Sequence, residues 1–433
     1  MSKRGGLGML YIGGIIVIAT FVAIIKKFET RLCLMMGGFI MALIAMKPMM
    51  AVDGFVKTMT SSLVVTVCSI MGFAYIMKMT NCNEHMTKVL TKLLKKIPWF
   101  LIPGTIIGTW LCNIPLTSAA GCSAAVGSIL IPTLIKSGVH PNMAASVVFA
   151  GTWGGAISPG NTHVNYLAKL ASEANLQDST IMDVCVVHAL PAVAALVLVV
   201  IGITLTARLF KEESGYVDAS GKIVQEEEPV FKINPLMAIT PVLPLALLIL
   251  SAKQIHLLPK VFQSIPLDML LGSAIGALVT RTNPEEVIKD FWRGAGDAYG
   301  KVMGLIISAF VFTSGMSAIG LTGALINLMK HSQGAAKLAA GFGTFSLAFL
   351  AGSADASTLA FNSSITPHAT EFGLGLVQLG TLAHLTGVLG RSCSPVAAAC
   401  IVCAGIAGVS PIEIAKRNLG VMFLGACLIM VML

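Results

Sequence analysis

The chain has 433 residues, 55% of them hydrophobic and only 11% charged, with a mean hydropathy of +0.85. A water-soluble domain carries about 25% charged residues, so a soluble fold is excluded and most of the surface must meet lipid or other membrane helices. The formal charge of +9 is no nucleic-acid footprint. Its basic residues (Lys26, Lys27 and Arg31; Lys88, Lys92, Lys95 and Lys96; Lys416 and Arg417) sit at the ends of apolar segments, as on the cytoplasmic flanks of membrane helices.

At roughly 20 residues per crossing, the length has room for about ten to twelve spans. The first apolar stretch, 7–25, is long and lacks a cleavage site, so it reads as a span and not as a signal peptide. Spans are expected at 32–50, 61–79 and 99–116, with a basic amphipathic stretch at 87–97 lying along the interface. A small-residue segment follows at 117–135, then a helix broken near 154–161, then a long span at 184–209. Residues 211–234, with Glu212, Glu213, Glu226, Glu227 and Glu228, read as a solvated connector. Beyond it, spans are expected at 235–251, 262–280, 299–321 and 335–350. A second small-residue segment, a break near 391–395 and a last span at 415–433 complete the chain.

The counts of Lys and Arg place the amino terminus outside and the connector in the cytoplasm, with Lys3, Arg4, Lys330 and Lys337 against the trend. The expected fold is an all-α polytopic membrane protein in three parts: a first repeat at 1–210, a linker at 211–234 and a second, inverted-topology repeat at 235–433. The ten cysteines fall singly in apolar runs, without metal-ligand or disulfide-framework spacing, and read as small core residues. No metal site is expected.

The repeats rest on two matching stretches. Pro132 and Pro159 in the first answer to Pro367 and Pro395 in the second, at spacings of 27 and 28 residues, and serine precedes each later proline. Each stretch opens with small and hydroxyl residues, Thr117 to Ser123 and Ser353 to Thr358. Paired interruptions of membrane-length apolar sequence point to the midplane site of a secondary transporter. Gly154, Gly155 and Ser158-Pro159-Gly160-Asn161-Thr162 should break one helix, and Gly387, Gly390, Arg391 and Ser392-Cys393-Ser394-Pro395 its twin. Broken helices expose N–H donors and partial positive charge, which suit a carboxylate, and Thr117, Ser118, Ser123, Ser353, Ser357 and Thr358 add hydroxyls.

Arg391 lies far from the basic loops, where a guanidinium needs a partner. A substrate carboxylate met bidentately, Asp355, or the membrane edge would each serve. Asp355 is an acid that can take a proton or a cation, and its counterpart in the first stretch is alanine. His163 and His384 flank the breaks and suit either a proton relay or hydrogen-bonded packing. Asp183 and Glu413 stand at the starts of the two last spans and read as caps. No nucleophile elbow, zinc motif, phosphate loop or dinucleotide fingerprint is present, so enzyme chemistry is not expected and transport must be driven by an ion gradient or by exchange.

GRSCSPVAAACIVCAGIAGVSPIEIAKR (Gly390 to Arg417) and SAAGCSAAVGSILIPTLIKSGV (Ser118 to Val139) resemble the repeat signatures of the DcuC-type four-carbon dicarboxylate transporters. That family belongs to a broader ion-transporter group with inverted repeats and re-entrant hairpins. The resemblance implies uptake, antiport or efflux of fumarate, succinate, malate or aspartate across a bacterial inner membrane, by an elevator-type homodimer without a cofactor. It also implies hairpin tips at 117–123 and 353–358, and unwound helices at 158–162 and 392–395, around the substrate. The better-studied relatives carry Ser-Asn-Thr at the tips, whereas this chain has Thr117-Ser118-Ala119 and Ser353-Ala354-Asp355. The missing amides count against sodium and favour a proton or no coupling ion. The alternative is a carrier of the same architecture for gluconate, citrate or a short-chain fatty acid. A dicarboxylate needs two anchors, and here Arg391 and the helix ends are the candidates.

Overall fold

In lipid, backbone N–H and C=O groups have no water to bond, so apolar runs must satisfy them internally as helices. The computed structural model describes residues 3–61, 63–94, 100–176, 179–216, 232–251, 257–329 and 333–433, and every regular element among them is helical. Lys95, Lys96, Glu226, Glu227, Glu228 and Lys330 lie outside the described residues, as do the end of the stretch expected at the interface and most of the connector.

The first half contains α1 (Lys3–Ile25), α2 (Thr30–Ile44), α3 (Pro48–Met59), α4 (Leu63–Met79), α5 (Cys82–Leu94), α6 (Leu101–Asn113), α7 (Ala119–Lys136), α8 (Pro141–Ala150), α9 (Thr162–Glu173) and α10 (Ile181–Leu209). The second contains α11 (Pro235–Ile239), α12 (Leu243–Ser251), α13 (Ile265–Thr280), α14 (Pro284–Asp297), α15 (Gly304–Ala318), α16 (Leu321–Met329), α17 (Gln333–Leu338), α18 (Thr344–Ala351), α19 (Asp355–Ser364), α20 (Leu376–Arg391), α21 (Ala398–Ala407) and α22 (Pro411–Met432).

Among the described residues six helices are long and apolar enough to cross a membrane, or seven if α3 and α4 form one bent span. Four further apolar helices are shorter. The difference from ten to twelve full spans comes from proline and glycine. The run expected at 32–50 divides because Pro48 opens a new helix after Lys47, a position where its missing N–H costs nothing. In the other direction, α14 and α15 join through a π-turn, Ala298–Met303, into one long span. Gly387, expected at a break, lies inside α20.

Two packed groups emerge. In one, α2 and α3 lie on α15, and α4 lies on α13 and α14. A Cβ on Gly38 would fall 2.4 Å from the Val311 carbonyl oxygen, and one on Gly315 would fall 2.2 Å from that of Gly38. Only paired glycines let these backbones touch. In the other group, α7, α8 and α21 pack together, and α22 lies against α10 and α20. Phe149, Trp153 and Tyr166 are fully buried in its core.

Arg417 differs from expectation. It is no solvated flank; its side chain is 5% exposed, and its Nε donates to Glu212 Oε2 at 2.7 Å while Nη2 pairs with Oε1. Its Nη1 donates to Glu413 Oε2 at 3.0 Å, and the Phe210 ring lies 5.3 Å away. Two-point pairing across the ends of α10 and α22 makes burial tolerable. Glu413 thus serves Arg417 as well as opening α22, whereas Asp183 forms a capping box with Thr180. Arg417→Ala should destabilise the fold by about 3–5 kcal/mol by leaving the buried Glu212 carboxylate without its guanidinium, with His140 Nδ1 standing 3.7 Å away. Thermal unfolding in detergent checks this, with Lys restoring only part of the loss.

Candidate functional site

Each matching stretch folds into the same order of elements. In the first, α6 turns at 114–118 into α7, α8 breaks at 151–161 before α9, and α10 follows. In the second, α18 turns at 352–354 into α19, α20 breaks at 392–397 before α21, and α22 follows. One side chain in each stretch ties the turn to the break. Asn113 donates to the Leu116 carbonyl at 2.7 Å and accepts from the Gly155 N–H at 2.8 Å. Ser394 Oγ donates to the Phe349 carbonyl at 2.6 Å, near the end of α18. Gly352 takes a left-handed φ of 72°, and a Cβ there would fall 2.7 Å from the Val396 carbonyl oxygen.

The first break is held open by its asparagines. Asn161 Nδ2 donates to the Gly155 carbonyl at 2.9 Å, and its Oδ1 caps α9 by accepting from the His163 N–H at 2.8 Å. Asn165 Nδ2 donates to the Pro159 and Asn161 carbonyls at 2.8 and 2.7 Å.

A cavity of about 360 Å³ collects three helix starts: Thr117 and Ser118 at α7, Asn161 and Thr162 at α9, and Asp355 at α19. Ser118 Oγ caps α7 by accepting from the Gly121 N–H at 3.2 Å. Each start adds partial positive charge and unpaired N–H groups, so three at one cavity favour an anion. The wall from α4 and α15 is apolar, except for Lys301.

Asp355 faces this space with its side chain 59% exposed, and pairs at 3.0 Å with Nε2 of His163, which is 5% exposed. Behind His163 stands a buried row of imidazoles. The His163 and His384 rings lie 4.6 Å apart at 33°, and His384 Nδ1 is 3.1 Å from His188 Nε2. His188 Nδ1 lies 2.9 Å from the Val184 carbonyl and 3.1 Å from Thr381 Oγ1. A carbonyl only accepts, so a neutral His188 carries its proton on Nδ1 and takes one from His384 Nδ1. His384 Nε2 is then a bare lone pair, and neither it nor His163 Nδ1 has a partner among the described residues.

Of the expected site residues, Thr117, Ser118, Gly160, Asn161, Thr162, His163 and Asp355 line the cavity. Ser158 and Pro159 lie just behind it, with Ser158 Oγ accepting from the Gly160 N–H at 3.2 Å. Ser353 Oγ accepts from the Asp355 N–H at 3.3 Å, and Ser357 Oγ donates to the Ala354 carbonyl at 3.1 Å. Ser123 and Thr358 are buried, Thr358 against Gly387. The second break packs away from the cavity. Ser392 Oγ accepts from Arg391 Nη2 at 3.1 Å, Ser394 ties down α18, and Pro395 is half-buried.

Arg391 joins the two breaks. Its Nη2 donates to the Thr152 carbonyl at 2.8 Å, while Nη1 is buried without a partner among the described residues and Asp355 pairs with His163 instead. Two residues escaped the sequence reading. His188, an ionisable group inside an apolar run, is itself a functional signal. Lys301, at the start of an apolar run, looks like an ordinary basic flank.

With this geometry in place, the chain can be compared with known proteins. The DcuC family model, described as a C4-dicarboxylate anaerobic carrier, matches residues 7–433. An uncharacterised transporter of Haemophilus influenzae is 33% identical over 269 residues, covering 60% of this chain and 94% of that protein. A second from the same organism is 48% identical over 132 residues, covering 30% and 91%. The anaerobic C4-dicarboxylate transporter DcuC of Escherichia coli K12 is 26% identical over 458 residues, covering 98% and 95%.

Proposed function

The chain belongs to the DcuC family of C4-dicarboxylate anaerobic carriers, a multi-pass inner-membrane protein, and from that premise we propose that it exchanges succinate, fumarate, malate or aspartate across the membrane. The observation that carries this reading is the convergence of three helix starts, drawn from both matching stretches, on one cavity. One substrate carboxylate binds at the α7 and α9 starts, where Thr117, Ser118 and Thr162 offer hydroxyls. The two stretches act as inverted repeats, and the group containing them moves elevator-fashion against α2, α4 and α15 within a homodimer. No cofactor and no bound metal enters this scheme.

A dianion entering beside Asp355 meets a like charge. Protonation of Asp355 removes it, with His163 Nε2, 3.0 Å away, as the neighbouring group that can hand over the proton. Sodium has no amide ligands at either tip. The test uses purified protein in liposomes loaded with fumarate and offered labelled succinate. Exchange should run without a gradient, and an outside-acid gradient should raise uptake where a sodium gradient does not. No uptake under any condition refutes the proposal, and stimulation by sodium alone refutes the proton.

A further inference from the structure

We propose that Lys301 is the cation that takes the substrate's second carboxylate, and so makes the cavity select dianions over monoanions. This rests on the reading of the cavity as a dicarboxylate site. The helix starts belong to α7, α9 and α19, whereas Lys301 belongs to the wall formed by α4, the π-turn and α15. That wall is otherwise Val67, Ile70, Met71, Val302, Leu305 and Ile306, and Lys301 is the one Lys or Arg among the described residues lining the cavity. A carboxylate turned toward such a wall without a cation would be desolvated and unpaired.

The local backbone is shaped around this lysine. Lys301 sits in the π-turn Ala298–Met303, an irregularity that recurs where a helix serves a site. Arg31 Nη1 donates to the Gly300 carbonyl at 2.7 Å within that turn, and Arg31 is itself paired with Glu29.

Lys301 Nζ meets Asp297 Oδ2 at 2.7 Å, with side chains 71% and 35% exposed. The same oxygen accepts from the Tyr75 hydroxyl. Asp297 and Tyr75 line a second cavity of about 520 Å³ with Lys78, Asp290 and Arg293. The Lys301–Asp297 pair therefore bridges two spaces, one at the helix starts and one beside it. Exposed pairs are held weakly, so a carboxylate already anchored at its other end can displace Asp297. A monoanion anchored at the helix starts has nothing to offer Lys301, which then stays with Asp297.

The experiment compares succinate uptake, and its inhibition by monomethyl succinate, in liposomes carrying wild type, Lys301→Gln, Lys301→Arg and Asp297→Asn. Lys301→Gln should raise the KM for succinate about tenfold, the loss of one ionic contact, and leave inhibition by the monoester unchanged. Lys301→Arg should stay near wild type, and Asp297→Asn should lower the KM a few-fold by removing the competitor. Equal weakening of both ligands by Lys301→Gln, an unchanged KM, or Asp297→Asn raising the KM as Lys301→Gln does would mark the pair as merely structural and overturn the proposal. Wild-type liposomes that carry no dicarboxylate would refute the site reading first, before any variant is compared, and the role of Lys301 with it.

Discussion

Arg391→Ala should lower the maximal rate of succinate uptake about a hundredfold, the scale of an angstrom-sized misplacement at a reacting site, while the protein still inserts into the membrane. Arg391 ends α20 and reaches the Thr152 carbonyl at the end of α8, so one side chain joins the two breaks. A hydrogen bond from a charged group contributes about 1.5–3 kcal/mol. Losing it frees both loops that fix where α9 begins. A lysine should rescue only in part: both bonds leave from the one nitrogen Nη2, which an ammonium can imitate, but its shorter stem sets that nitrogen back from Thr152 and Ser392.

The kinetic split separates two roles for this residue. A brace between breaks lowers the rate and leaves KM nearly alone, whereas direct contact through the free Nη1 raises KM. Wild-type uptake by Arg391→Ala would remove it from both.

Asp355→Asn should abolish the response of uptake to a pH gradient while exchange of succinate for fumarate continues. The amide keeps the size of the carboxyl and still accepts from His163, so α19 starts in the same place. It cannot lose a proton, and therefore imitates the neutral side chain in every state. Uptake at a fixed outside pH, measured across inside pH values, should become flat in the variant. If its slope equals that of wild type, the coupling proton sits elsewhere.

The turns and breaks are legible in the sequence because each needs a residue type that cannot hide. Ser158-Pro159 and Ser394-Pro395 fall within the two breaks, where proline keeps the chain from continuing as helix, and the runs at Thr117 and Ser353 contain little that would continue an apolar surface. The unequal use of the two breaks is not legible. Ser392 and Ser394 are the same residue types as Ser118, but their hydroxyls are spent on Arg391 and the Phe349 carbonyl, partners that only the folded chain brings near.

Arg417 follows the same logic, since it reads as a flank beside Lys416 until Glu212, 205 residues away, is brought against it. Lys301 is hidden by the π-turn, because a 3.6-residue period puts side chains on the wrong face once an extra residue enters the turn. Segment length failed for a further reason. Proline starts a helix as readily as it stops one, so apolar sequence of membrane length does not guarantee one uninterrupted crossing.

The Asn113 and Ser394 ties have a mechanical consequence. A turn whose flanking helix is held to the neighbouring break resists hinging out alone, because that motion would break the Asn113 or the Ser394 hydrogen bond. In the proposed carrier, these two small polar staples favour shifting each tied pair of segments as one unit.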